Sequence, residues 1–437
     1  MKAFHFIAAM ALVGVLASGG LGQTTRPDMK RAADSSNQFG LELYCRLAAD
    51  QKGNLFFSPY SIETALAMTW AGARGTTAGE MARVLRLGEA NPVNADMAAL
   101  LAHLTPKLEK EDPAPKQDED LGTRFLGGGG MDDSPFVLVT ANALWAQKGL
   151  RLSESYQKLV HDNYQARLQS LDFTGGAAAL EQSRKIINDW AAHKTNDKIK
   201  DVIAPGALSP DTRLVLTNAI YFKSCWAEPF AESATRDEPF HLAVGSAVTT
   251  AMLHQRHRRE YLEDADVQIA VIPYFLNHLS MWVVLPKKLD GLADVEKKFD
   301  AKKLRQWSEA MAARKSYDLV ELSLPKFKFR MQCRLAQTLR AMGIVEAFSD
   351  KADFSGICTD QGLYISQVIH QTYIDVNEKG TEAAAMTAML GGGAIGIGVG
   401  KEPEPIVFKA DHPFLFFIQE NESGAILFLG RVANPKG

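Results

Sequence analysis

Hydrophobic positions in the first part of the chain recur at helical spacing. Phe39, Leu41, Leu43, Tyr44 and Leu47, behind a Ser/Asn-rich start, predict a helix over Ser35–Ala49. Asn54-Leu-Phe-Phe-Ser58 reads as a short apolar strand stopped by Pro59. The residues of Ser61–Gly72 are almost all small or apolar, which predicts a buried helix. Further helices are expected over Thr76–Leu87, Asn94–Lys110, Ser153–Tyr164 and Ala177–His193. From Phe136–Leu144 onward strand patterns take over: Leu214–Phe222, Gln268–Tyr274, Met281–Leu285, Val320–Leu324, Gly362–Asp375, Ile406–Phe408, Phe414–Glu420 and Ala425–Val432. The last two are apolar on both faces and joined by the turn Asn421-Glu-Ser-Gly424, so they are central strands covered on both sides. The N-terminal helices are the available cover. One interdigitated α+β domain over residues 23–437 is therefore expected, not two.

Two stretches fall outside this pattern. Residues 109–135 hold Pro113, Pro115, a run of acids and Gly127–Gly130, and read as a flexible insertion. At the N-terminus, Lys2 precedes an apolar run from Phe4 to Ala17, followed by Ser18, Gly19, Gly20 and Gly22. The run is too short to span a membrane and has the small-residue ending of a secretory leader. Residues 1–22 are thus expected to be a signal peptide, and the mature protein to be exported, extracellular or periplasmic, with no membrane partner once the leader is removed.

The charge balance narrows the partners further. Lys plus Arg number 48 and Asp plus Glu 51, so no global positive field exists to hold nucleic acid. Cys45, Cys225, Cys333 and Cys358 lie far apart without a C-x-x-C motif, and their spacing selects no pairing. Buried or partly buried thiols are the expectation in a chain this large.

Enzyme and cofactor motifs do not survive inspection. Gly391-Gly-Gly393-Ala-Ile-Gly396 formally fits a dinucleotide fingerprint, but it runs into more glycine and then Pro403 instead of opening a helix. His254-Gln-Arg-His257 lacks the glutamate of a zinc motif, and Arg256, Arg258 and Arg259 would repel a divalent cation; a solvated basic hairpin is the better reading. No G-x-S-x-G elbow occurs. Neither a metal, a cofactor nor catalysis is expected.

The unusual segment is Ile374-Asp-Val-Asn-Glu378-Lys-Gly380-Thr381-Glu382-Ala383-Ala384-Ala385-Met-Thr387. Gly380 permits a backbone reversal. If the residues after it lay in a sheet, Thr381, Ala383, Ala385 and Thr387 would face one way, all slim enough to slide under a covering layer. An Ala-rich helical turn before a loop fits the composition equally well.

Here the sequence resembles the serpin family. Glu378–Thr387 looks like the family's reactive-loop hinge, and Phe408-Lys-Ala-Asp-His-Pro-Phe414 like the strand entered after that loop. Asn54–Ser61, Leu216–Trp226, Leu324-Pro-Lys326-Phe and Phe428-Leu-Gly-Arg431 match further family signatures in order. The resemblance implies helices covering a large mixed sheet plus two smaller sheets, with an exposed reactive-centre loop over 378–405. It also implies a suicide-substrate inhibitor: a protease cleaves the loop and is acyl-linked, and the hinge then inserts into the sheet as a new strand. Ser58, Ser61, Asn218 and His370 match the shutter, where the sheet must part. Trp226, Lys326 and Glu378 match the breach, where the loop first enters.

Counting as the family does, sixteen positions after Glu378, puts the reactive bond between Ala394 and Ile395. Residues 380–394 at about 3.3 Å each span roughly 50 Å, enough to cross a sheet. A small residue at the bond suits an elastase-like or subtilisin-like serine protease, a cysteine protease being a second class it allows, and the inhibitor is expected to be a monomer. The loop departs from the family in its extra length and in Gly391–Gly393, so cleavage near Val399 or after Lys401 is an alternative, the latter implying a trypsin-like target. Lys107, Lys110 and Lys116 are diluted by acids, so no heparin-type helix is expected in the insertion. The other functional reading is a non-inhibitory serpin, a carrier, storage or chaperone-like protein whose loop stays out. The slim inward residues of the hinge favour inhibition.

Overall fold

The structure, a computed structural model, describes residues 27–88, 93–105, 136–242, 245–359, 362–381 and 403–437. The expected leader, the 109–135 insertion, the hinge residues Glu382, Ala383, Ala384, Ala385 and Thr387, and the bond Ala394–Ile395 lie outside them.

The chain runs α1 (Met29–Asp50), β1 (Leu55–Phe57), α2 (Pro59–Trp70), α3 (Gly75–Val84), α4 (Val93–Leu104), β2 (Val137–Gln147), α5 (Glu154–Tyr164), β3 (Arg167–Leu171), α6 (Ala177–Lys194) and β4 (Leu214–Cys225). It continues through β5 (Arg236–His241), β6 (Ala247–Arg259), β7 (Tyr261–Glu263), β8 (Val267–Pro273), β9 (Leu279–Pro286), α7 (Leu292–Lys298), α8 (Ala301–Ala312), β10 (Asp318–Pro325), β11 (Phe327–Arg334) and α9 (Ala336–Met342). The last strands are β12 (Ile365–Asn377), β13 (Gly380–Thr381), β14 (Ile406–Lys409), β15 (Phe414–Glu420) and β16 (Ile426–Val432).

These strands form three sheets. The largest part of the architecture for function is β11-β12-β13-β4-β2-β3; the others are β1-β16-β15-β9-β8-β7 and β14-β10-β6-β5. Residues of β15 and β16 are almost all buried, as their two-sided apolarity predicts, and α1 and α2 pack against β16. Phe56 stacks on Phe428 at 5.3 Å and on Phe416 at 5.6 Å, which locks β1 to the sheet beneath α2. On the opposite face of the first sheet α6 seals a second core, where Trp190 meets Trp145 edge-on at 5.4 Å. The first sheet is thus covered on both sides, and a strand added to its middle would be buried at once.

Several boundaries differ from the sequence expectation for identifiable reasons. Helix α1 begins six residues early because the Asp28 side chain caps it by accepting from the Lys30 amide. Helix α2 starts at Pro59, not Ser61: proline suits the first helical turn, where its missing N–H is no loss, and Ser58 caps the helix. The His254–Arg259 segment is a strand paired with β10, and Arg256, His257 and Arg258 are exposed, but Arg259 is buried, so the solvated-hairpin reading is wrong for that residue. Cys45 is exposed, contrary to expectation; Cys333 and Cys358 are buried, and burial pushes the Cys333 thiol up to about 12.

Candidate functional site

The site is an incomplete seam in the first sheet. Strands β12 and β4 run parallel and pair directly from Ile365↔Leu214 to Thr372↔Ile220. Beyond that point they diverge, and the chain turns back at Glu378-Lys379 to place β13 between them. Gly380 and Thr381 pair antiparallel with Asn377 and Val376 on one side and with Cys225 and Ser224 on the other. A two-residue wedge therefore occupies the mouth of a slot whose lower walls are still joined.

Glycine at 380 is a packing requirement. Its φ is +153°, and an added Cβ would lie 2.1 Å from the Ser224 carbonyl oxygen and 2.7 Å from the Cys225 Cα. Thr381 is fully enclosed, and its hydroxyl is 2.7 Å from the Tyr274 hydroxyl, so the side chain points into the core beneath the sheet.

Around the mouth, three of the expected residues come together. Lys326 Nζ donates to both oxygens of Glu378 at 3.0 and 2.9 Å, and Thr235 Oγ1 donates to Oε1 at 2.9 Å. Burial alone would raise the Glu378 carboxyl, but the bonds from Lys326 and Thr235 outweigh it and hold the group below the ordinary carboxylate range. Trp226 stacks on Tyr274 at 4.5 Å; its Nε1–H donates to the Asn377 carbonyl and its amide to the Lys379 carbonyl, both at 2.9 Å. The turn into β13 is thus held by charge, by stacking and by backbone bonds. Tyr274 and Thr235 were not anticipated; nothing in their local sequence marks them, because each reaches the mouth from another sheet or from a 3-10 turn.

The joined walls carry the second cluster. His370 and Asn218 are directly opposed in the β12–β4 register, and His370 Nδ1–H donates to Asn218 Oδ1. His370 Nε2 accepts the Ser58 amide at 3.0 Å, which fixes the Nδ1–H tautomer, and burial pulls the imidazole down to about 3. Asn218 Nδ2 in turn donates to the Ser61 carbonyl at 2.9 Å and to Asn142 Oδ1, across the β2–β4 pair. Ser58 and Ser61 sit at the start of α2, with Ser58 Oγ accepting the Ser61 amide. All four expected shutter residues meet here, and Asn142 joins them. Its signal was available, since an Asn inside the apolar run Ala141–Ala146 needs a buried partner.

The seam, the wedge and the polar clasp beneath it all lie between β12 and β4. The family model described as Serpin (serine protease inhibitor) matches residues 34–435. The chain is a serpin. It is 39% identical over 93% of its length to an uncharacterized serpin-like protein of Thermococcus kodakarensis, covering 86% of that protein. It is also similar to the leukocyte elastase inhibitor of Xenopus laevis, at 34% identity over 93% of this chain and all of that one. Among solved structures, human thyroxine-binding globulin complexed with thyroxine superposes with a TM-score of 0.76 at 28% identity, over 94% of this serpin and 100% of that chain. Serpins are in general protease inhibitors and not catalysts, and the three-sheet α+β architecture agrees with the fold expected from the motifs.

Proposed function

We propose that this serpin is a secreted inhibitor of serine proteases of the elastase-like or subtilisin-like kind, acting once per molecule through loop insertion. The protease serine attacks the carbonyl carbon of Ala394, the bond to Ile395 breaks, and the Ile395 amine leaves with the proton. The serine ester that remains tethers the enzyme to the hinge. The hinge then zips into the seam and carries the enzyme to the far end of the sheet before water can release it.

The observation that carries this reading is the register of β13. Thr381 lies opposite Val376 and Ser224 in antiparallel pairing. Continued residue by residue, that register brings Thr387 between His370 and Asn218, on the inward face where their hydrogen bond now lies. It brings residues 391–392 to Ile365 and Leu214, the last direct pair of the seam. Insertion would end within a few residues of Ala394, which leaves the acylated enzyme at the sheet's lower edge. Ala383 and Ala385, at the inward positions between, add no bulk to a packed interior. About ten new residues would each contribute ladder hydrogen bonds of roughly 0.5–1.5 kcal/mol. Gly391–Gly393 weaken only the final turn of this strand, by about 0.5–1 kcal/mol per glycine relative to alanine.

A panel of serine proteases tests the proposal. An SDS-resistant complex with an elastase-like enzyme, together with a released fragment beginning at Ile395, is the expected result. Cleavage of the loop with the protease left active would favour the carrier or storage reading.

A further inference from the structure

Strand β11 ends the first sheet: among the described residues it pairs with β12 on one side and with no strand on the other. An open edge presents unpaired amides and carbonyls, so its side chains decide what pairs with it. Lys328, Arg330, Gln332 and Arg334 alternate along β11 and are all exposed, at a spacing of about 6.6 Å. On the other face Phe327, Phe329 and Cys333 are buried, while Met331 is half-buried and leaves that face partly open at the edge.

The exposed row is basic and only partly neutralised. Lys328 Nζ is 3.0 Å from Asp375 Oδ2, its direct opposite on β12, and Gln332 Nε2 donates to the Val202 carbonyl at 2.8 Å. The Arg330 guanidinium lies 5.6 Å from the ring of Tyr373, the residue opposite it, and Lys198 and Lys328 approach the same ring at 5.7 Å. Asp375 is the one acid that β12 sets against the row, since Gln371 and Ile369 face Gln332 and Arg334. Among the described residues neither Arg330 nor Arg334 has a carboxylate within ion-pair distance. Both guanidinium groups stay charged, and their forked donors match a carboxylate.

Charge selects the occupant of this edge. A second copy of β11 laid along it would set cations against cations, which is destabilising. An extended segment with acids four residues apart would instead set one opposite Arg330 and one opposite Arg334, with an uncharged polar residue between them facing Gln332. Its intervening residues would lie on the opposite face, beside Phe329 and Met331, where apolar side chains fit.

We infer that β11 is a docking edge for an extended partner segment of alternating polar and apolar residues, with acids at i and i+4, which joins the first sheet as an outer strand. Main-chain ladder bonds supply the affinity, and the two ion pairs supply register and choice of partner. The edge is separated from the seam by β12 and requires no loop cleavage, so the inference stands apart from the inhibitor reading.

Titration of the intact, uncleaved protein into the fluorescently labelled peptide Thr-Glu-Val-Gln-Val-Glu-Thr, blocked at its C-terminus, tests it. The parent should bind one peptide per chain, and hydrogen exchange should slow in the amides of Phe327–Arg334. Arg330→Glu combined with Arg334→Glu changes two exposed positions, so the variant should fold. It should bind this peptide at least about tenfold more weakly than the parent does, and should bind the counterpart with Lys in place of both Glu. The inference is overturned by no saturable binding to the parent or by equal binding to the charge-reversed variant. Exchange protection in β12 and β4 instead of β11 would overturn it by showing entry into the seam, and binding without protection would overturn it by showing charge attraction alone. Self-association of the parent that the charge reversal abolishes would overturn it by assigning the edge to a second copy.

Discussion

At the scale of single residues, the seam depends on groups whose environment dictates their protonation. His370 is held neutral between the Ser58 amide and Asn218; its depressed value means that stability present above its ordinary pKa near 6.5 is lost as pH falls toward 3. Glu63, two residues past Ser61 on α2, works in the opposite sense. It is fully buried, accepts from Ser35 Oγ at 2.5 Å, and burial outweighs that bond and pushes it from 4.5 to about 8. A raised carboxyl contributes stability that is complete below its unfolded value and lost as pH rises through its folded value, about 3 kcal/mol by pH 7. Glu63→Gln should therefore melt with the parent near pH 4.5 and progressively above it as pH rises to 8; a difference that does not grow with pH would contradict this. Thr381 supplies a second test. Arginine there cannot be buried unpaired beside Tyr274 without several kcal/mol of penalty, so Thr381→Arg should be cleaved as a plain substrate, the protease remaining active in a residual-activity assay.

At the scale of elements, the wedge β13 is held by the turn that precedes it. Removing the carboxylate in Glu378→Ala strands Lys326 and Thr235 and frees that turn. The uncleaved variant should lose inhibitory capacity faster on storage, as its loop slips into the seam unaided; an unchanged active fraction over time would show that the ion pair does not restrain the hinge. Elements with one dominant period were legible beforehand. The almost wholly buried α2, β15 and β16 fall within two residues of where the pattern puts them because burial on all sides leaves one reading. The hairpin β5–β6 was not, since charged residues on its open face dilute the alternation, and neither was α8, whose apolar Leu304, Trp307 and Met311 sit among six charged or polar neighbours. The shutter and breach were found as separate motifs. That His370 faces Asn218 across the joined β12–β4 pair, and that Thr381 already lies between those strands, are matters of register, which no local pattern encodes.

At the scale of the whole molecule, the first sheet is covered on both faces by two cores, and the proposed function has the slot between β12 and β4 filled by one more strand. Which enzyme triggers its filling depends on the length of tether. Cleavage at Ala394 would pull the chain taut at Ile365 and Leu214, whereas cleavage at Lys401 would leave slack, so an elastase-like enzyme should be captured at a molar ratio near one and trypsin should mostly turn the protein over. A large ratio for elastase with a ratio near one for trypsin would move the reactive bond to Lys401. The most direct test of insertion itself is the melting midpoint before and after the loop is cut between Gly391 and Gly400 by a non-target protease. Filling the seam with about ten residues should raise the midpoint by roughly 10–20 °C. An unchanged midpoint in the fully cleaved protein would mean that the loop stays out and that this serpin does not inhibit by insertion.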